Sequence, residues 1–423
     1  MENKHIQLFK SIWTNLCRFV LAAVFVFSGF AKIIDPWGSF YKLQDYALAF
    51  GALWVPDFLL LLLGVLLAAI ELITGLLLFV GVRRTISTFT ALVLMSIMTP
   101  LTLVLALTNP ISDCGCFGDA LILTNWETFI KNIILLGLSI SLYRRRRGIL
   151  SLFTNHTHWI VSLYTAVFVA GLFIYSYRYL PIIDFRPFKI GTHMLSAMEM
   201  PDGAEEAVFE TYVLMEKDGQ EKLFDLNNYP DSTWTYLDTQ TKLISKGYVP
   251  PIQNFHMLDL ESSEDIAQDF LANSGYSFLM IAGDLTQADD GEIDLLNEIY
   301  DYSVDHKYPF VCLTASQEKD IESWSDRTGA EYPFYFTDEI TLKTMVRANP
   351  GLILLKDGVI IQKWSYHNLP TEYDLSDSLD RLPLGQITDH SDFKKILYVI
   401  FWYFAPMFML FGLDLLYRRR KTK

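Results

Sequence analysis

The residues with the clearest chemical capacity are two cysteines separated by one glycine, in the run Ser112-Asp113-Cys114-Gly115-Cys116-Phe117-Gly118-Asp119. Two such thiols can close a disulfide when the backbone brings their Cα atoms within about 4.4–6.8 Å. Gly115 opens the dihedrals that this requires. The ring would be small, so the bond would be strained and readily exchanged, which suits redox traffic better than a permanent staple. Other readings of the loop are a soft-metal contact and simple packing. No nearby histidine or third cysteine completes a zinc set, so no metal site is expected. Asp113 and Asp119 flank the thiols, and neighbouring carboxylates disfavour a thiolate. Of the other cysteines, Cys17 lies in an apolar run and Cys312 in an apolar strand pattern, where each reads as a small buried hydrophobe.

The elements that must position this loop are membrane spans. Hydrophobic residues make up 51% of the 423-residue chain, more than a wholly soluble protein of this size needs. Six apolar runs are long enough to cross a bilayer: Ile12–Ala31, Phe58–Val80, Thr85–Leu107, Trp126–Tyr143, His158–Tyr177 and Phe393–Tyr417. With six spans, the basic clusters at Lys4 to Arg18, Arg83-Arg84, Arg144 to Arg147 and Arg418 to Lys423 all fall on one side. That places both termini in the cytoplasm and the Cys loop, the 32–57 loop and the large 178–392 segment outside, in a bacterial inner membrane. The first span reads as retained, because Lys32 and Asp35 follow it without a small-x-small cleavage site. Residues 178–392 carry 15 Lys/Arg against 39 Asp/Glu, a balance of −24, while the remainder (19 against 9) is +10. An acidic soluble part on a basic-edged membrane part excludes nucleic acid as a partner and leaves the bilayer and an exported protein.

Charges inside spans are functional candidates. Glu71 lies about 13 Å from the cytoplasmic end of its span and Arg18 about 9 Å from the same side, depths that would let them pair. The alternative for Glu71 is a proton or quinone role. Lys131 lies about 8 Å from the outer end. It and Lys32 are near enough to the loop to stabilise a thiolate at Cys114 or Cys116, or they snorkel to the headgroups.

The stretch Phe27-Ser28-Gly29-Phe30-Ala31-Lys32-Ile33-Ile34-Asp35-Pro36 resembles the first-span signature of DoxX-like membrane proteins, particularly the MauE branch. So do Tyr41 to Tyr46, Glu71-Leu72-Ile73-Thr74-Gly75, Cys114-Gly115-Cys116-Phe117-Gly118, Trp126 and Lys131-Asn132, in the same order. The resemblance implies a four-helix bundle and electron or disulfide traffic at the membrane: MauE is associated with maturation of a disulfide-rich enzyme, methylamine dehydrogenase, and DoxX with a quinone-linked oxidoreductase. A quinone is therefore an acceptor the pair could use, although no quinone motif stands in the sequence.

Beyond the fifth span, strand-like alternation at Val208–Glu216 and Lys222–Asp225, with a turn at Lys217-Asp218-Gly219, predicts an accessory β region. From about residue 250 the pattern becomes strand, helix, strand, helix, then a hairpin at 351–364 and a last helix over Glu372–Leu382. This order resembles a thioredoxin-like fold of the TlpA type, and Pro350 falls at that family's cis-proline position. The family's CxxC position is occupied by Thr286-Gln287-Ala288-Asp289, so the domain lacks a dithiol of its own. The expected organisation is a four-span domain at 1–147, a fifth span in 148–180, a linker and β region at 181–249, a thioredoxin-like domain at 250–388 and a sixth span with a basic tail at 389–423. The function this implies is thiol–disulfide or electron transfer through Cys114 and Cys116 on an exported client, as an oxidoreductase or redox subunit. The rival is a non-enzymatic scaffold that binds a partner through the cysteine-free domain. A transporter is disfavoured by the few polar residues within the spans.

Overall fold

The computed structural model describes residues 2–421 except 112, 202, 206–207, 218–219, 226–234, 246 and 388–391. The membrane part is helical: α1 (Glu2–Ile33), α2 (Pro36–Ala49), α3 (Asp57–Val80), α4 (Arg84–Thr108), α5 (Asn125–Arg144) and α6 (His158–Arg178), joined at the far end of the chain by α12 (Asp392–Lys421). Five of these, α1, α3, α4, α6 and α12, are long and apolar enough to cross a membrane. At 20 residues α5 has the length, but its first half carries Asn125, Glu127, Lys131 and Asn132. The chain is a membrane protein with several apolar helices. Helix α2 was read as loop from the sequence. Its start is nevertheless written locally: Asp35 caps it by accepting from the Gly38 amide, and Pro36 takes the first helical position.

Close packing of α1 on α3 depends on two glycines. A Cβ on Gly29 would come within 2.4 Å of the Leu72 amide nitrogen, and one on Gly75 within 2.7 Å of that of Val26. Small residues of this kind let helix backbones approach where lipid supplies no hydrophobic drive. At the end of the bundle away from the Cys loop, Arg18 donates to the carbonyls of Leu78 (2.8 Å), Phe79 (2.7 Å) and Leu150 (2.7 Å). Arg84 donates to Ile149 O (2.8 Å) and Arg418 to Leu152 O (3.0 Å). The basic clusters thus gather at one end. This overturns the expected Arg18–Glu71 pair: α3 ends at Val80, its last carbonyls have no helical partner, and Arg18 satisfies them instead.

The remaining elements are α7 (Met194–Met198), a three-stranded sheet of β1 (Val208–Lys217), β2 (Gln220–Asp225) and β3 (Thr235–Ser245), and an α/β domain. The domain comprises β4 (Leu258–Asp259), α8 (Ala267–Leu271), β5 (Tyr276–Ile281), α9 (Ile293–Asp305), β6 (Phe310–Thr314), α10 (Glu318–Thr328), β7 (Phe334–Phe336), α11 (Glu339–Met345), β8 (Gly351–Lys356) and β9 (Val359–Ser365). The small sheet has order β2-β1-β3, and of the predicted turn at 217–219 only Lys217 lies within the described residues. The large sheet has order β4-β7-β6-β5-β8-β9, with β7, β6 and β5 parallel and the β8–β9 hairpin antiparallel beside β5.

Parallel strands joined by helices and followed by an antiparallel hairpin make this domain thioredoxin-like. The strands alternate as buried strands must. Phe278 and Met280 of β5 face a core shared with Leu296, Ile299 and Trp324, while Leu279 and Ile281 face one shared with Phe255, Leu342 and Met345. Cys312 is in the first core. The last helix expected over Glu372–Leu382 does not form. Those residues make a series of turns, with Asp374 accepting from the Thr371 amide and hydroxyl, and only Leu375 and Leu379 enter the core. Two inward residues four apart are what a helix would also show, and the local Asp and Thr bonds offered the backbone an alternative.

Replacing Gly75 by Ala should overpack the α1–α3 contact, costing about 1–3 kcal/mol, and lower the melting temperature of the detergent-solubilised protein. Gly137→Ala, where a Cβ meets nothing within 4 Å, should leave it unchanged or slightly raised.

Candidate functional site

The Cys loop is held from four sides. At its start, Asn125 of α5 donates to Asn109 Oδ1 and to Ile111 O, each at 2.8 Å. The loop turns at Gly115 and Gly118, which have φ of +63° and +54°, and the Gly118 amide closes the turn onto Gly115 O at 3.1 Å. Gly115 is needed for space as well, because a Cβ would lie 2.7 Å from Cγ of Lys42. From α2, Tyr46 donates its hydroxyl to Cys114 O at 3.1 Å, and Lys42 reaches Asp113 at 3.2 Å. From α1, the Ser28 hydroxyl lies between Cys116 O (2.6 Å) and Glu71 Oε2 (2.8 Å). From α5, Lys131 stands over the Phe117 ring at 4.2 Å.

Lys32 reaches Glu71 Oε2 at 2.6 Å, with both side chains about one-tenth exposed. So the partner of Glu71 is Lys32. The sequence brought Lys32 to the thiol loop, and it is there, acting on Cys116 while bonded to the carboxylate.

Both loop cysteines are free thiols, and they are unequal. The hydrogen bond from the Cys116 thiol, opposed by burial and aided by Lys131 and Thr128, lowers Cys114 to about 6. Giving that hydrogen bond, together with deeper burial, raises Cys116 well above an ordinary thiol. Asp113 and Asp119, expected to disfavour a thiolate, both have cationic partners. Asp113 accepts from the Gly115 amide at 2.8 Å and from Lys42, and Asp119 faces Arg347 of the α/β domain at 3.2 Å.

Beneath the loop lies a cavity of about 380 Å³. Its lining is mostly apolar, including Phe25, Leu43, Leu67, Met98, Leu101 and Leu135, with Cys114, Cys116, Lys131 and Asn132 and the paired charges Lys32–Glu71 and Lys42–Asp113. Asn132 is fixed there by donating to Thr102 at 3.2 Å. Cys17 lies away from this site in the α1–α5 core.

In the α/β domain, the Asn349–Pro350 peptide is cis. Asn349 donates to Asp284 O at 2.8 Å and accepts from the Asp289 amide at 3.1 Å, so the cysteine-free 286–289 segment and Pro350 share one site. Thr286, Gln287 and Asp289 on that face are exposed. The face borders a cavity of about 740 Å³ whose other wall is Trp37, Tyr41 and Tyr177 of α2 and α6.

The residues that sequence reasoning missed are Thr128, Tyr46, Lys42 and Arg347 as loop partners. The buried Thr128 hydroxyl makes no hydrogen bond among the described residues, and it stands near enough to Cys114 to favour the thiolate. It is one helical turn before Lys131 and Asn132, a spacing that places them on one face of α5.

Residues 10–144 match the family described as methylamine utilisation protein MauE, so the chain carries a MauE family domain. A second family, described only as a domain of unknown function, matches residues 209–246. No curated protein matches. Among solved structures, the solution structure of a Bacteroides thetaiotaomicron protein assigned as a protein disulfide isomerase is 12% identical, covering 27% of this chain and 77% of that one with a TM-score of 0.23. The thioredoxin-like character of the α/β domain rests on its own strand order.

Site-resolved alkylation of the reduced protein should modify Cys114 first, with a half-maximal rate near pH 6, and Cys116 only well above pH 9. A lowered thiol pKa means reactivity present above that pH and lost below it. Lys131→Met and Cys116→Ala should each move the Cys114 profile upward, since each removes a group that favours the thiolate.

Proposed function

We propose that this chain is an integral inner-membrane thiol–disulfide protein, with Cys114 as the attacking thiolate and Cys116 as the resolving thiol at the periplasmic face. The observation that carries this reading is geometric: the two thiols stand one glycine apart on a turn held by Ser28, Tyr46 and Lys42, and both line the cavity that Lys131 also enters. A loop that served packing alone would have no need to hold two thiols and a lysine around one cavity. The gathering of Arg18, Arg84 and Arg418 at the opposite end supports a cytoplasmic side there by the positive-inside rule. With α5 counted, that gives six spans, both termini inside and the α/β domain outside.

In the reducing direction, the Cys114 thiolate attacks a client disulfide, and one client sulfur leaves as thiolate and takes up a proton. Cys116 then loses its proton and attacks the Cys114 sulfur of the mixed disulfide. The second client sulfur leaves, and two electrons have passed from the pair to the client as the Cys114–Cys116 bond forms. In reverse, the same steps oxidise a client dithiol and leave the pair reduced.

The cavity below the loop fits a lipid-soluble quinone. Its apolar length is bounded by Leu67, Met98 and Leu101, and Lys131 and Asn132 at the thiol end are the donors that would hold a carbonyl oxygen. When bound, such a molecule would supply a two-electron, two-proton acceptor for the pair. The scaffold alternative draws on the cysteine-free domain, but the face that would capture a partner is turned towards α2 and α6 of its own chain.

Cys116→Ser should accumulate a mixed disulfide between Cys114 and an exported protein, visible on non-reducing gels and absent from Cys114→Ser. If no such adduct forms and both thiols of the native protein stay reduced in the cell, the chain does not exchange disulfides. Leu101→Trp should fill the cavity and slow re-oxidation of the reduced pair by a short-chain quinone several-fold, with Cys114 alkylation unchanged. An unaltered re-oxidation rate removes the cavity from the electron route.

A further inference from the structure

The α/β domain reaches the thiol loop through one side chain. Arg347 follows α11 and precedes the Asn349–Pro350 peptide by two residues. Its Nε and Nη2 fork onto the Asp35 carboxylate (Nε–Oδ1 3.1 Å, Nη2–Oδ2 2.8 Å), and Nη2 also meets Asp119 at 3.2 Å. Its Nη1 donates to Lys343 O at 2.9 Å, and the Tyr41 ring lies 5.3 Å away. The side chain is 7% exposed. Gly38 makes the approach possible, since a Cβ there would stand 2.9 Å from the guanidinium. We propose that Arg347 is a positioning residue that couples docking of the α/β domain to the reactivity of the Cys114–Cys116 pair, by neutralising Asp35 and Asp119 and fixing the loop that bears them. This rests on the reading of Cys114 as the attacking thiolate.

The charges around the pair make the coupling specific. Lys32 of α1 is matched by Glu71 of α3, and Lys42 of α2 by Asp113 of the loop and Asp45 of its own helix. In the segment after α6, Asp184 is matched by Arg186 and by Lys363 of β9. On α11, Lys343 pairs with Glu339. Tyr46 is a neutral donor, pushed upward by burial. What remains is Lys131, which has no carboxylate within ion-pair distance among the described residues, and the group of Asp35, Asp119 and Arg347.

With the domain docked, Arg347 is the cation bonded to both acids, and Arg186, itself bonded to Asp184, favours their ionised forms from further off. Without Arg347, the two carboxylates lose their bonded cation, and one of them stands three residues from Cys116. A thiolate is then disfavoured, and the turn that Asp119 helps anchor loses its external hold. Binding linkage is reciprocal. If docking favours the thiolate, then protonating it weakens docking by the same factor, and closing the disulfide, which also removes that charge, weakens docking in the same direction.

The test is site-resolved alkylation of Cys114 against pH in the full-length protein in detergent or nanodiscs, with hydrogen exchange of α11 as a separate measure of docking. Arg347→Gln should raise the Cys114 midpoint by about half a pH unit or more and slow alkylation at pH 7 several-fold, and α11 should exchange faster. Adding Asp35→Asn and Asp119→Asn should return the midpoint towards wild type while α11 stays fast, which a purely structural role of Arg347 would not do. In the native protein, α11 should exchange faster when the pair is oxidised than when it is reduced. An unmoved midpoint in Arg347→Gln, a triple variant no more reactive than Arg347→Gln, or equal exchange in the two redox states would overturn the coupling. A wild-type Cys114 that itself shows an ordinary thiol midpoint would instead sink the thiolate reading, whatever Arg347 does.

Discussion

A carboxylate in the apolar part of a helix bundle must be paired, and the way Glu71 is paired organises the thiol end of this protein. An unpaired charge at that depth is expensive. Lys32, one helix away, meets it at 2.6 Å. The pair can form only because Gly29 and Gly75 let α1 and α3 approach, and it brings Ser28 to a position where one hydroxyl touches both Glu71 and the carbonyl of Cys116. The loop therefore sits on an ionic floor, with Lys42 and Tyr46 on one flank and Lys131 and Thr128 on the other. None of these groups is itself a redox centre. Together they fix the turn that carries the two thiols.

Much of this was legible in the sequence, for reasons that differ by residue. The apolar runs are long and have a helical period, so the helices were readable. Alternating buried strands and the β8–β9 hairpin at Lys356-Asp357-Gly358 were readable in the same way. The loop cysteines, Lys32, Lys131 and Glu71 stood out because thiols and charges are rare in such surroundings. Pairing was not legible. Depth along a span says nothing of the rotation of a helix about its axis, so Arg18 was a plausible partner for Glu71 until the end of α3 claimed it. The partners of Asp113 and Asp119 were not legible either, because their cations come from α2 and from a residue 228 positions further on. Helix α2 was missed because it lies between spans without the length of one, although Asp35-Pro36 carries a start signal.

The α/β domain presents an unusual economy. It keeps the strand order and a cis peptide at Asn349–Pro350, has Thr286–Asp289 where a dithiol would stand, and turns that face to the helices of its own chain. Aromatic contacts there, such as Trp37 on Tyr177 with centroids 5.5 Å apart, make a partly open seam, and Arg347 supplies a charged contact beside it. A fold ordinarily read by its own sulfur chemistry here lacks that dithiol and contacts, through Arg347, the loop that carries one.

The chain enters the α/β domain from α6 and leaves it into α12, so the domain is anchored in the bilayer at both ends. Release of the Arg347 contact cannot send it into the bulk. It stays within reach of the loop at an effective concentration on the order of millimolar for short tethers. Re-engagement is then an intramolecular event that dilution cannot slow. A free competitor for the Arg347 site on the loop would have to work against that local concentration.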